Sequence, residues 1–180
     1  CSGEGGTRLV PTSDAIAVSH ATTPFVSAYP YSAGFGTKFS NPATLPASTG
    51  RSAAYAGDTE LAIGHDTTPF VSAYPWSTGG FGTKFSDPAT TPTGGGLGVG
   101  FTGAKDALVV SHSITPFVTA YPFSGSGFGT KVSDPATLPT GTGGGVAFTF
   151  AGDAVAVAHT TTPFVSAYPW TGAFGSKFSD

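Results

Sequence analysis

The chain has 180 residues, enough to bury a sizeable core, and 39% of them are hydrophobic and 13% aromatic. Only 9% are charged, against roughly 25% in an average soluble domain, and a net charge of −3 supplies no broad basic surface for nucleic acid. The 27 glycines and 15 prolines recur periodically, unlike those of disordered low-complexity sequence, and no apolar run reaches the roughly 18 residues of a membrane-spanning helix.

Cys1 is the one cysteine, so no intrachain disulfide can form, and a chain without methionine does not begin at a translation start. The opening CSGEGG is similar to the mature start of a bacterial lipoprotein, which implies a lipid anchor through Cys1; the other reading is a domain cut from a longer protein. Beyond it the sequence repeats. The proline of a Thr-Pro-Phe motif stands at Pro24, Pro69, Pro116 and Pro163, and each unit carries one histidine (His20, His65, His112, His159). One lysine follows in GTKFSD or a variant of it (Lys38, Lys84, Lys131, Lys177). The units run approximately 1–48, 49–94, 95–141 and 142–180, and together form one repeat domain in which each unit buries its faces against its neighbours.

Each unit divides into four β-type runs. In the last, GVAFTF (145–150) leads through an Ala-Gly-Asp turn to AVAVAH (154–159), whose alternation has the period of a strand. Pro163 favours a connection, because it cannot donate to a ladder. FVSAYPW (164–170) is the third run and FGSKFSD (174–180) the fourth, and earlier copies leave through a proline-spaced loop such as DPATLPTG. No segment has helical periodicity free of Gly or Pro. Along the second and third runs one set of alternate positions is bulky (Val155, Val157, His159, Phe164, Tyr168, Trp170). The other is compact (Ala154, Ala156, Ala158, Val165, Ala167, Pro169), the pairing that stacked sheets need for dense packing.

Four short strands in ~46 residues is the composition of one propeller blade. GVAFTFAGDAVAVAH followed by FVSAYPW resembles the inner strand, turn and outer strands of the WD-repeat class of β-propellers, with Pro-Trp, Pro-Tyr or Pro-Phe where that family has Trp-Asp. The near-identical units are also similar to amplified repeats of bacterial and phage proteins. The resemblance covers all four units and implies an all-β propeller of four four-stranded antiparallel blades. It leaves open closure as a monomer, as an eight-bladed ring of two chains, or as part of a longer array.

Isolated histidines some 45 residues apart lack metal-ligand spacing, so the expectation is a structural histidine bonded to a Ser or Thr hydroxyl. Asp14, Asp106 and Asp153 precede a histidine by six residues, but the second unit offers Asp58 instead. An enzyme needs one asymmetric site rather than four copies, so no catalytic residue, metal or cofactor is expected. Lys84, Lys131 and Lys177 stand near Asp87, Asp134 and Asp180, and Lys38 near Asn41, as turns that guard an outer strand. The position that varies is the last aromatic: Tyr31, Trp76, Phe123 and Trp170. These rings are read either as plugs closing each blade or as one binding site per blade. The expectation is therefore a non-enzymatic structural or interaction module that self-associates through exposed blade faces, as a virion, cell-surface or extracellular component. The alternative is a multivalent, lectin-like propeller binding glycans.

Overall fold

The computed structural model describes residues 14–179; Cys1, Asp180 and the expected first strand of the first unit lie outside the described residues. The described residues form an all-β structure without a helix. The first unit contributes β1 (Ala15–Ser19) and β2 (Val26–Pro30). The second gives β3 (Gly50–Ala56), β4 (Glu60–His65), β5 (Val71–Ser77) and β6 (Gly80–Phe81). The third gives β7 (Gly96–Phe101), β8 (Ala107–His112), β9 (Val118–Ser124) and β10 (Gly127–Phe128). The fourth gives β11 (Gly143–Phe148), β12 (Ala154–His159) and β13 (Val165–Pro169). Each unit is its own antiparallel sheet, with strands in sequence order.

Among the described residues the second and third sheets have the expected four strands, and the fourth has three. In the first and fourth units the fourth run is reduced to the bridges Tyr31–Phe35 and Trp170–Phe174. Even β6 and β10 are two residues long. A proline in the third run explains this. The carbonyl oxygens of Pro30, Pro75, Pro122 and Pro169 each accept a bond from a glycine amide of the fourth run, at 2.8 Å. A strand residue points its nitrogen and oxygen to the same side, so the donor missing from proline interrupts that ladder.

The sheets stack through three cores, each made by the compact face of one sheet and the bulky face of the next. Val26 and Ala28 of the first sheet receive Leu61, Ile63, Tyr74 and Trp76 of the second. Ala62, Val71 and Ala73 receive Leu108, Val110, Tyr121 and Phe123. Val109, Val118 and Ala120 receive Val155, Val157, Tyr168 and Trp170. Large side chains thus meet small ones at every joint, the arrangement that reaches interior density without voids. Phe164 departs from the alternation expected for it: it is 57% exposed. It occupies the Thr-Pro-Phe turn at φ 69°, where its amide bonds the Thr161 carbonyl and its carbonyl receives the His159 amide.

Neighbouring sheets come closest along their first strands, β3 to β7 and β7 to β11. Glycine makes this approach feasible. A Cβ on Gly96 would stand 2.3 Å from the Phe70 carbonyl oxygen, and one on Gly98 would stand 2.8 Å from the Gly145 Cα. The Ser52 hydroxyl also receives the Val99 amide across the joint at 3.2 Å. Aromatic rings fill the rest of each joint: Trp76 packs edge-to-face on Phe39, Tyr55 and Phe81, and Phe123 on Phe85, Phe101 and Phe128. No sheet closes on itself among the described residues.

Candidate functional site

The histidines occupy one position in each unit, where the second strand ends or has just ended. A tight turn then brings back the third strand, so the hydroxyl seven residues later faces the ring. His20 Nε2 lies 3.1 Å from Ser27 Oγ, His65 3.0 Å from Ser72, His112 2.9 Å from Thr119 and His159 3.0 Å from Ser166. Burial holds the pKa of His65 and His112 below the ordinary imidazole range. His65, His112 and His159 are buried with their hydroxyl partners, whereas His20 is half-buried. The acids near these units are used elsewhere. Asp106 and Asp153 accept bonds from Thr102 and Thr149 at 2.6 Å, and Asp58 pairs across a joint with Lys105 at 3.2 Å. Asp14 is exposed at the start of the described residues. Among the described residues no group of three or more His, Cys, Asp or Glu is placed to hold a metal ion.

The lysines stand beside the loops that leave each sheet. Lys38 donates to Asn41, and Lys84 and Lys131 pair with Asp87 and Asp134. Lys177 has the same place in the fourth unit, and its expected partner Asp180 lies outside the described residues.

The four variable aromatics do not share one environment. Trp76, Phe123 and Trp170 are at most 5% exposed, inside the joints, whereas Tyr31 is 42% exposed. What separates them is the neighbour. Trp76 and Phe123 lie against Phe39 and Phe85 of the preceding unit, at ring-centroid distances of 5.2 and 5.6 Å. Trp170 has Val132 in that place. The residue after each GTK lysine therefore receives the next unit's ring, a role that the turn reading of TKFSD does not reveal.

Sequence reasoning placed the tyrosine of SAYP or TAYP on the bulky face but missed the partner of its hydroxyl. Tyr74, Tyr121 and Tyr168 donate their hydroxyls to the carbonyls of Thr44, Thr90 and Thr137 at 2.7–2.9 Å. Each pins the Pro-Ala-Thr loop that enters its own unit, and burial raises the hydroxyl pKa of Tyr74 and Tyr121 above the usual phenol range. The signal in the sequence is a constant interval of 30 or 31 residues between loop threonine and tyrosine.

Among the described residues two faces remain open. The compact face of the fourth sheet exposes Val165 by 51% and Phe178 by 50%. Two depressions of about 290 Å³ lie on it, one lined by Pro163, Val165, Ala167 and Phe178, the other including Ala156 and Ala158. At the opposite end, the bulky face of the first sheet exposes Val18 by 46%, Tyr31 by 42% and Phe35 by 65%. Neither set contains a charged side chain. No helix of the described residues is long and apolar enough to cross a membrane. No known family model matches the sequence, and no curated protein matches it.

Proposed function

We propose that this chain is a non-enzymatic structural and interaction module: an arc of propeller-like blades that assembles through its end faces. The observation that carries the reading is the pair of apolar faces at the two ends, which repeat the surfaces buried at every internal joint. The side chains capable of chemistry are spent on the stack itself, histidine on its neighbouring hydroxyl and lysine on its neighbouring loop. Repeated joints of one kind suit a ring as the finished form, and eight blades from two chains is the closure we favour. A surface poor in charge and solvated by Ser, Thr and Gly suits a virion or cell-surface component.

The lectin-like alternative requires one open aromatic per blade, and the rings of three units are occupied by packing. Light scattering at micromolar concentration tests the reading. The expected result is a species of twice the 17.9 kDa chain mass or more, and a single species at that chain mass would overturn it.

A further inference from the structure

The assembly reading leaves open which surfaces meet. Its template is present three times within the chain. At each joint the acceptor consists of Val and Ala of the third strand with the residue after the GTK lysine: Val26, Ala28 and Phe39 in the first sheet, Val71, Ala73 and Phe85 in the second. Val26, Val71 and Val118 are all 0% exposed under their donors, yet Val165, the same residue of the fourth unit, is 51% exposed. Its partners Ala167 and Phe178 complete an acceptor with nothing seated on it. The donor is equally regular. Leu61, Ile63, Tyr74 and Trp76 of the second sheet correspond to Ile16, Val18, Tyr29 and Tyr31 of the first, and Ile63 is 0% exposed where Val18 is 46%.

Resting on that reading, we propose that the acceptor face of the fourth sheet binds the donor face of the first sheet of a second copy of this chain, with Tyr31 of one copy standing on the partner's Phe178 as Trp76 stands on Phe39. The geometry decides between head-to-tail and symmetric pairing. Two compact faces brought together leave voids between alanines, and two bulky faces collide, so neither end is complementary to itself. A compact face against a bulky one reproduces the internal joints. A contact of this type is heterologous: it closes a ring when the rotation divides the circle and otherwise propagates as a filament.

Two variants in a Cys1→Ser background, which removes thiol pairing, test the proposal by light scattering and sedimentation. Val18→Glu places a charge on the donor face alone, and Val165→Glu on the acceptor face alone. Both sites are about half exposed, so each variant should retain the circular dichroism and melting temperature of a folded stack. Each alone is expected to run as a 17.9 kDa monomer, with self-association weakened at least about 100-fold by the unpaired buried charge. The equimolar mixture should form dimers of one copy of each and nothing larger, since it retains one intact donor and one intact acceptor. A mixture that stays monomeric, or either variant alone assembling as the parent does, would overturn the head-to-tail joint. An assembled parent with such variants leaves the assembly reading standing, whereas a monomeric parent removes both.

Discussion

Among the described residues the second and third sheets are covered on both faces, and the first and fourth are each left open on one. The same five residues, Val-Ser-Ala-Tyr-Pro, begin β5 and make up β13, and both pair with the preceding strand in the same register. Yet Val71 is 0% exposed and Val165 is 51% exposed. Local sequence sets the strand, and the neighbouring sheet decides what it contributes. In a stack of this kind, stability is approximately a sum over joints, and an end unit holds one joint where an inner unit holds two.

That comparison can be broken at its aromatic position. Trp76→Ala should cost about 3–5 kcal/mol in urea unfolding, the range for emptying a buried aromatic site. Tyr31→Ala, at an end and 42% exposed, should cost less than about 1 kcal/mol at submicromolar concentration, where the ends are free. Equal losses would mean that the ends are as well packed as the middle.

Backbone approach gives the next contrast. Gly96→Ala would push a methyl group toward the Phe70 carbonyl, 2.3 Å away, at a cost of about 1–3 kcal/mol. Gly144, in β11 of the fourth sheet, has nothing within 4 Å of its would-be Cβ. Gly144→Ala should therefore leave the melting temperature unchanged or slightly raised.

Acid sharpens the same distinction. His65 and His112, in the inner sheets, have folded-state pKa values lowered by burial. Below the unfolded imidazole pKa, near 6.5, the unfolded chain binds protons that the folded chain refuses, so stability is full above neutrality and falls with pH. Between pH 7.5 and 5 the melting temperature should drop by several degrees, at about 2–4 °C per kcal/mol for a chain of this size. The doubly substituted His65→Gln, His112→Gln protein should show a flatter profile. A parent profile that is already flat would mean that the rings are not sealed in the joints. Tyr121→Phe, which deletes the bond to Thr90, should cost about 1 kcal/mol.

Much of this architecture is legible in the sequence, because period and alternation are local. The expected second strand at 154–159 is β12, and the expected third at 164–170 contains β13. The compact and bulky positions at Ala156, Ala167, Val155 and Tyr168 fall on opposite faces of the sheet as alternation requires. What was not legible depends on partners distant in sequence. The fourth run looked like a strand because its composition suits one, but the donor that its ladder lacks is missing at Pro75, in a different run. Trp76 and Trp170 read as candidate binding rings because no pattern within one unit shows that Phe39 or Val132 of the preceding unit covers them. Phe164 read as part of an alternating strand because alternation carries no sign of the turn it occupies, or of the missing neighbour beside the end unit, where the equivalent Phe70 and Phe117 are half-buried.

The central claim is that the two end faces are unfilled versions of the internal joints, and hydrogen exchange read along the chain at increasing concentration tests it most directly. At submicromolar concentration the amides of β4, β5, β8 and β9 should be strongly protected, and those of β1, β2, β12 and β13 should exchange sooner. As concentration rises into the high micromolar range, protection of the end strands should climb toward that of the inner ones while the inner strands stay constant. End strands whose exchange is indifferent to concentration, or as slow as the inner strands throughout, would contradict the account.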